Sequence, residues 1–214
     1  MDKISLQQLR LEYSGAALDE ETVLKDPLLQ FEKWFGDAMQ AELPEPNAMA
    51  LATSGIDFKP SSRIVLLKGL DHGFVFYTNY NSYKSKDLHE NPRACLVFFW
   101  KELERQVRIT GLAQKTSDDE SDEYFNSRPE GSRIGAWASP QSEVINSRQW
   151  LEENEKKYSE SFKNKSLSRP THWGGFRVQP VTIEFWQGRS NRLHDRILYS
   201  LEENGSWKIE RLAP

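Results

Sequence analysis

The sequence predicts a mainly β protein decorated by helices. Between residues 47 and 115, short runs rich in β-branched and aromatic residues alternate with turn signals such as Ser54-Gly55. Five strands at this close spacing, with one short helical insert, are typical of an antiparallel barrel or sandwich. The 214 residues suit an N-terminal arm at 1–25 and one domain at 26–214. The predicted strands are 48–53, 63–67, 74–78, 94–100 and 106–113, with the helical insert near 84–89.

A helix is predicted on the N-terminal side of this β-rich part. Asp26 is a good N-cap, and Pro27 stands at the first helical position, where a backbone N–H is not needed. The following apolar residues recur at spacings of three and four, which indicates an amphipathic helix. Pro44 is expected to end it. The predicted apolar face comprises Leu28, Phe31, Phe35 and Met39.

Further helices and strands are predicted beyond residue 115. Ser117 and Glu120 form a capping box, and Tyr124 lies on the helix that this box opens. A second helix is expected over 143–158, followed by an exposed polar loop over 159–171. Strand character returns at 181–186, 197–202 and 207–211.

Composition excludes several functional classes. The net charge of −4 argues against a nucleic-acid or membrane-surface binder, which usually carries a basic excess. The single cysteine, Cys95, cannot form an internal disulfide, and no metal site is predicted because the cysteine and histidine spacings of zinc sites are missing. No secretion signal or 18-residue apolar run is found, so a cytoplasmic location is expected. Common nucleotide-binding glycine motifs and the Gly-x-Ser-x-Gly nucleophile motif are also absent.

Two cations bracket a short apolar strand. Arg63 and Lys68 stand at either end of Ile64-Val65-Leu66-Leu67. Because their positions differ by five, an ideal strand points them to opposite faces. They either serve two different anions, or one of them is a charge at the rim. The alternative is that both are solvated strand ends.

A second set of polar residues is spaced by four along a predicted helix. Tyr124, Arg128 and Ser132 share one face if the helix continues past Pro129, which can break the register. One guanidinium and two hydroxyls suit a phosphate monoester. The alternative is a solvated helix face with an aromatic anchor.

The densest mixture of ligand-binding residue types runs from 185 to 196. Trp186 offers an aromatic face, and Arg192, His194 and Arg196 alternate at spacing two. In a strand these three would line one face. Three cations on one face repel one another unless an anionic ligand or nearby carboxylates offset them, so the triplet favours a binding site.

At these residues the sequence resembles the pyridoxine/pyridoxamine 5′-phosphate oxidase family. The matches run in order from about residue 45 to the end, and the ordered set is far more specific than any single match. Among them are Trp173-Gly174-Gly175-Phe176-Arg177 and Arg192-Leu193-His194-Asp195-Arg196, together with 63–68, 76–79, 104–107, 124–129, 134–137, 141–142, 184–188 and 211–214.

The resemblance implies a split β-barrel homodimer with two FMN sites at the subunit interface. It also implies that pyridoxine or pyridoxamine 5′-phosphate is oxidised to pyridoxal 5′-phosphate. Hydride would pass from C4′ of the substrate to flavin N5, and oxygen would reoxidise the flavin to give hydrogen peroxide. The flavin carries this chemistry, while the protein supplies orientation and charge.

The same resemblance assigns residue roles. Arg192 and His194 are the implied catalytic residues, with Leu193 between them at the substrate, and Arg10 and Tyr13 match a weaker N-terminal pattern that closes over the site. The substrate phosphate is assigned to Lys68, Tyr124, Arg128 and Ser132. The implied FMN contacts are Arg63, Ile64, Val65, Leu66, Leu67, Lys68, Tyr77, Thr78, Lys84, Gln106, Gln141, Ser142, Trp186 and Arg196.

One position departs from the family pattern. Tyr83 stands where the family commonly has arginine, so a guanidinium expected at the FMN phosphate is missing. Lys84 and Arg63 would then carry more of the charge, and FMN is expected to bind less tightly. Two rival functions stay open, a related split-barrel flavoprotein with another substrate and a non-catalytic carrier of FMN or pyridoxal phosphate.

Overall fold

The computed structural model describes residues 12–15 and 17–214. This part of the chain contains five α-helices and nine strands, and two 3-10 turns lie at Lys101–Leu103 and Ser190–Arg192. The helices are α1 Pro27–Gln40, α2 Tyr83–Glu90, α3 Asp118–Ser127, α4 Glu130–Ala138 and α5 Arg148–Phe162. The strands are β1 Ala48–Ser54, β2 Pro60–Leu66, β3 Gly69–Leu70, β4 Phe74–Asn79, β5 Arg93–Trp100, β6 Arg105–Lys115, β7 Trp173–Gln187, β8 Asp195–Leu201 and β9 Trp207–Arg211.

The strands form one sheet, which confirms the mainly β prediction. Its order is β2-β1-β5-β6-β7-β4-β3, and β8 pairs with both β7 and β9. The pairs β1–β2, β3–β4, β4–β7, β7–β8 and β8–β9 are antiparallel. None of the helices in the described part is long and apolar enough to cross a lipid bilayer.

The chain divides into two compact units. The first takes its described residues from the segments up to Asn47, Leu96–Ile109 and Val181–Pro214, and the second comprises Ala48–Cys95 and Thr110–Pro180. We call them the terminal unit and the central unit. The interpretation of 26–214 as one domain stays a prediction.

In the central unit, strand alternation buries one face of β1 and most of β4. Met49, Leu51 and Thr53 are buried in β1, as the period of two requires. Phe74 and Phe76 of β4 are fully buried. β4 pairs with the beginning of β7, and this register places Thr78 opposite Gly174.

In the terminal unit, α1 begins as predicted but buries a different face. The Asp26 carboxylate accepts the Leu28 N–H at 2.8 Å, which caps the helix. Phe31, Trp34 and Ala38 are buried, and the Trp34 ring meets Phe185 of β7 edge to face at 5.2 Å. Inclusion of Met39 in the apolar face was wrong, because its side chain is 55% exposed beside the last turn.

Several predicted bounds need correction. The helix predicted over 143–158 begins instead at Arg148, where the Ser147 hydroxyl caps it, and it continues to Phe162, so the first part of the predicted loop is helical. Arg169 is also not exposed. Its side chain is only 8% exposed, and its guanidinium pairs with Asp118 and Asp122 at 2.7 and 2.6 Å.

Candidate cofactor and substrate sites

A cavity of about 490 Å³ lies in the central unit, where β2, β4, α3 and α4 converge. Ten of the predicted site residues line it, although they come from four separate stretches of sequence. We call it the α3–α4 cavity. Those ten are Ile64, Val65, Leu66, Lys68, Tyr77, Thr78, Tyr124, Arg128, Ser132 and Gln141. The remaining lining residues are Asn79, Gly135, Ala136, Ser139 and Trp173.

Three aromatic rings form one wall of the cavity. Tyr77 stacks on Tyr124 with ring centroids 4.0 Å apart and on Trp173 at 5.5 Å. The Arg128 guanidinium carbon lies 4.7 Å from the centre of the Trp173 ring, which holds the side chain in place by cation–π attraction.

Arg128 has an unsatisfied donor in this cavity. Its Nη1 is buried and has no hydrogen-bond partner among the described residues. Burial lowers the pKa of Arg128, which reflects the free energy needed to keep its charge away from water. A cavity-lining arginine that retains an unpaired buried donor fits an anionic ligand such as a phosphate group.

The three residues spaced by four do not lie on one helix. α3 ends at Ser127, Arg128 is its extended C-cap, and α4 starts after Pro129. The helix is therefore interrupted at Pro129, which is one of the two alternatives that the sequence leaves open. Tyr124, Arg128 and Ser132 nevertheless line the same cavity, because the chain turns around it between the two helices.

Lys84 is a buried cation directly behind the cavity wall. Its ammonium donates to Thr78 Oγ1 and Gln141 Oε1, each at 3.1 Å, and to Ser82 Oγ at 3.3 Å. No acidic partner is found for it in the described part of the chain, and its residue is 8% exposed. Burial, and secondly the nearby charge of Arg63, lower the pKa of Lys84 to about 8.

Arg63 lies within β2 and is held by protein groups. Its guanidinium donates to Thr53 Oγ1 and Ser61 Oγ at 2.6 Å each and to the Leu51 carbonyl at 3.2 Å. Asp87 Oδ2 is 3.9 Å away. The expectation that Arg63 marks a strand end was wrong, because β2 starts at Pro60, whereas Lys68 follows the end of the strand and lines the cavity.

In the terminal unit, Tyr13, Trp186 and His194 form an aromatic cluster. The Trp186 and His194 rings are 4.6 Å apart, and Tyr13 meets each of them edge-on at 5.7 Å. The backbone N–H of Arg189 donates to His194 Nδ1 at 3.1 Å. Neutral His194 consequently carries its proton on Nε2, which is left as a donor.

The predicted strand face of Arg192, His194 and Arg196 was wrong. β7 ends at Gln187 and β8 begins only at Asp195, so Arg192 and His194 lie in the connection. Arg192 is exposed and has a φ of 60°, directly after Asn191 with a φ of 55°. Two consecutive left-handed residues are rare and indicate a backbone held in place by its surroundings.

Arg196 is satisfied by the protein itself. Its Nε donates to Glu184 Oε1 and its Nη1 to the Ala213 carbonyl, each at 2.8 Å. Glu184 is 3% exposed and also pairs with Arg108. The Glu184 hydrogen bond raises the pKa of Arg196. Trp186 and Arg196 are direct partners in the β7–β8 ladder, which explains why they occur together.

Comparisons with known proteins identify the family. Residues 35–160 match the model described as Pyridoxamine 5'-phosphate oxidase. The chain belongs to the pyridoxamine 5′-phosphate oxidase family. Residues 173–214 match a second model, the Pyridoxine 5'-phosphate oxidase C-terminal dimerisation region.

Relatives of similar length carry the name pyridoxine/pyridoxamine 5′-phosphate oxidase. The protein from Nostoc punctiforme is 56% identical over all of both chains. That from Burkholderia multivorans is 57% identical and the match covers 98% of this chain and 99% of the relative.

Two solved structures are similar as well. PhzG from Burkholderia lata, solved with tetrahydrophenazine-1-carboxylic acid, has a TM-score of 0.88 and 30% identity, with 94% of this chain and all of that chain covered. An FMN-binding protein from Nostoc punctiforme related to pyridoxamine 5′-phosphate oxidase has a TM-score of 0.68 at 16% identity, with 86% and 97% covered, and indicates the fold alone. These structures confirm the predicted split β-barrel fold.

Some residues predicted from the family resemblance lie away from the α3–α4 cavity or the aromatic cluster. Leu67 is buried without lining the cavity, Ser142 is exposed with a φ of 73°, and Gln106 is half-buried in β6. Leu193 is 69% exposed. Arg10 lies outside the described residues.

Sequence reasoning did not assign five of the lining residues to the site. Trp173 was noted only as part of a family segment, yet it stacks with Tyr77 and carries Arg128. Asn79, Gly135, Ala136 and Ser139 complete the lining. The first three lie within segments that match the family, whereas only proximity to predicted site residues could have suggested Ser139.

Proposed function

We propose that this protein is an FMN-dependent oxidase that converts pyridoxine 5′-phosphate and pyridoxamine 5′-phosphate to pyridoxal 5′-phosphate. Family membership supports the proposal, as do relatives of 55–57% identity that carry the oxidase name. The observation that carries it is that Arg128, which lines the cavity together with Lys68, has a buried Nη1 without a hydrogen-bond partner among the described residues. Such a buried cation is costly unless an anionic ligand completes it.

The substrate phosphate is assigned to the α3–α4 cavity. Arg128 donates from Nη1, while the Tyr124 and Ser132 hydroxyls and the Lys68 ammonium supply further donors around the same space. The Trp173 ring would hold the guanidinium in place for this contact. A phosphate held at several points restricts how the attached pyridine ring can lie, which is how the protein would orient the reacting carbon.

FMN is assigned to the β2 and β4 side of the same cavity. When bound, FMN supplies a flavin ring that accepts hydride from C4′ of the substrate and passes the electrons to oxygen, with hydrogen peroxide as product. Lys84 and Arg63 would balance the FMN phosphate charge, and Thr78 and Gln141 would orient Lys84 toward it. The further proposed FMN contacts are Ile64, Val65, Leu66, Leu67, Lys68, Tyr77, Gln106, Ser142, Trp186 and Arg196.

Arg192 and His194 are assigned to the pyridine side of the substrate. His194 is oriented by the Arg189 N–H and by the Trp186 ring, so its Nε2–H is available to donate near the reacting substituent. Arg192 would contact the outer face of the pyridine, with Leu193 beside it. Arg10 and Tyr13 of the arm, residues 1–25, would close over this side.

We also propose a homodimer with FMN at the subunit interface. The matched dimerisation region at 173–214 supports this assembly, and it includes Trp186, Arg192, His194 and Arg196. Residues 26–214 would then be the FMN-binding domain.

An oxidase assay tests the proposed function. The purified protein, supplied with FMN and pyridoxamine 5′-phosphate in air, is expected to form pyridoxal 5′-phosphate with equimolar hydrogen peroxide and ammonia, the aldehyde oxygen coming from water. A carrier would bind the vitamer without peroxide formation, and a flavoprotein for another substrate would bind FMN but leave the vitamer unchanged. Either of those results would contradict the proposal.

A further inference from the structure

The side chain of Glu104 binds the N-terminal segment, which we define as residues 12–15. Its Oε2 accepts the backbone N–H groups of Ser14 and Gly15, both at 2.8 Å. Glu104 follows the 3-10 turn Lys101–Leu103 and has a φ of 54°, so the turn aims its side chain at this segment. Two successive amides on one carboxylate oxygen form a charge-assisted contact that is stronger than neutral hydrogen bonds.

The segment also packs closely against the residues that follow β7, so that neither Gly15 nor Gly188 could carry a Cβ without a clash. The Gly188 N–H donates to the Glu104 carbonyl at 2.7 Å, and a Cβ on Gly188 would lie only 2.8 Å from Tyr13 Cγ. A Cβ on Gly15 would lie 2.9 Å from the Gly188 carbonyl oxygen. Arg189 Nη1 donates to the Gly15 carbonyl at 2.8 Å, which closes the contact from the other side.

These contacts fix the neighbouring aromatic side chain. Tyr13 precedes the two amides held by Glu104, and its ring lies edge-on against both Trp186 and His194. The same Arg189 that holds Gly15 donates its backbone N–H to His194 Nδ1. The segment and the histidine are thus positioned by one connected set of hydrogen bonds.

We propose that Glu104 is a positioning residue that places Tyr13 on the Trp186–His194 pair and so sets one wall of the substrate's pyridine site. The inference rests on the proposed function, because it takes His194 as a substrate contact. Glu104 itself touches neither ligand and acts through the two amides.

Hydrogen exchange and steady-state kinetics of the FMN-loaded protein test this role. Glu104→Ala keeps an L-residue at the left-handed position. The backbone cost of the turn is therefore similar in the variant and in the unmodified protein, and the change removes the carboxylate. We expect exchange at the Ser14 and Gly15 amides to rise about tenfold or more. KM for pyridoxamine 5′-phosphate should rise about tenfold, with kcat within about twofold and the FMN dissociation constant unchanged.

Matched variants separate this role from a general loss of structure. Glu104→Gln keeps an acceptor oxygen and should restore KM to within about threefold of the unmodified protein. Glu102→Ala removes an exposed glutamate of the same turn and should change neither exchange nor KM. If Glu104→Ala does not fold, Glu104→Asp replaces it, because one methylene less draws the carboxylate away from the amides.

Each outcome decides the inference. Unchanged exchange at residues 14 and 15 in Glu104→Ala would overturn the positioning contact, and faster exchange with an unchanged KM would overturn its link to the substrate. A fall in kcat with unchanged KM would also contradict it. Absence of oxidase activity in the unmodified protein would instead refute the proposed function. The exchange experiment would still test whether Glu104 holds the amides of Ser14 and Gly15.

Discussion

The cations at the α3–α4 cavity differ from those of the β7–β8 region, which comprises strands β7 and β8 and the connection between them. The difference is in how fully other protein groups pair with them. Within the described part of the chain, Arg128 of the cavity has a buried donor without a partner, and Lys84 behind the cavity wall donates only to neutral oxygens. In the β7–β8 region, Arg196 is held by a buried glutamate and a carbonyl, and Arg189 lies 3.6 Å from Asp195. The cations of the two regions thus differ in whether they have acidic partners and a full set of hydrogen bonds.

The difference separates binding charges from positioning charges. A buried cation without a counter-ion destabilises the unliganded protein and gains most when an anion arrives. A cation that is already paired with a carboxylate gains little further stabilisation when an anionic ligand binds, but the pair fixes the position of its side chain. We therefore expect changes in the cavity to alter ligand affinity most, and changes around Glu184 to alter stability most.

Among the changes that affect FMN binding, removal of the Lys84 charge should have the largest effect. Lys84→Met is expected to weaken FMN binding about 30- to 100-fold, because a buried charge-assisted hydrogen bond is lost. Quenching of FMN fluorescence on titration with apoprotein measures this affinity. Lys86→Met changes an exposed lysine of the same helix and should leave the affinity within about twofold. Equal affinities in the two variants would remove Lys84 from the site.

The lowered pKa of Lys84 adds a pH dependence. FMN affinity should fall as pH rises above about 8, since the free apoprotein then loses the ammonium charge. The apoprotein itself should become more stable between about pH 8 and the ordinary lysine value of 10.5, because its folded state binds fewer protons there than the unfolded chain. Lys84→Met should abolish both trends.

Loss of the buried carboxylate at Glu184 should mainly cost stability. Glu184→Gln leaves Arg196 and Arg108 without their counter-ion, and we expect the free energy of unfolding to fall by about 2 kcal/mol. Urea denaturation of the apoprotein measures this change. Glu210→Gln breaks the exposed pair with Lys208 and should leave the free energy of unfolding almost unchanged, because solvent screens this pair. Two equally stable variants would contradict a structural role for Glu184.

The smallest effect is expected at Tyr83. Its side chain is 63% exposed at the start of α2, one residue from the buried Lys84. Tyr83→Arg adds a guanidinium near the proposed FMN phosphate and should tighten FMN binding only about three- to fivefold, because solvent screens an exposed charge. Weaker FMN binding in this variant would place the phosphate elsewhere.

Local sequence patterns predicted most elements but not their contacts. The capping box at Ser117 and the Asp26-Pro27 pair placed two helix starts correctly, because caps act through neighbouring backbone groups. The spacing of two between Arg192, His194 and Arg196 did not predict a shared face. Side chains two apart share a face only within a strand, and Arg192 belongs to the 3-10 turn Ser190–Arg192 instead. The buried face of α1 was also misjudged, since tertiary contacts of Trp34 decide it.

Many residues of the candidate site were predicted from the family resemblance, but their hydrogen-bond partners were not. The resemblance named ten lining residues of the cavity. It could not tell that Arg128 has an unpartnered Nη1 while Arg196 is saturated, because hydrogen-bond satisfaction depends on distant segments such as Glu184 and Ala213. Glu104 was likewise noted only within a family segment, and its contact spans 90 positions of sequence.

The most direct test compares phosphorylated and unphosphorylated substrates in Arg128→Ala, with Arg148→Ala as an exposed arginine control. For pyridoxamine 5′-phosphate, we expect kcat/KM to fall about 30- to 150-fold, mainly through KM, which corresponds to about 2–3 kcal/mol of lost charged hydrogen bonding. For pyridoxamine itself, kcat/KM should be unchanged within about twofold in the same variant. An equal loss for both substrates, or no loss for either, would contradict the assignment of Arg128 to the phosphate.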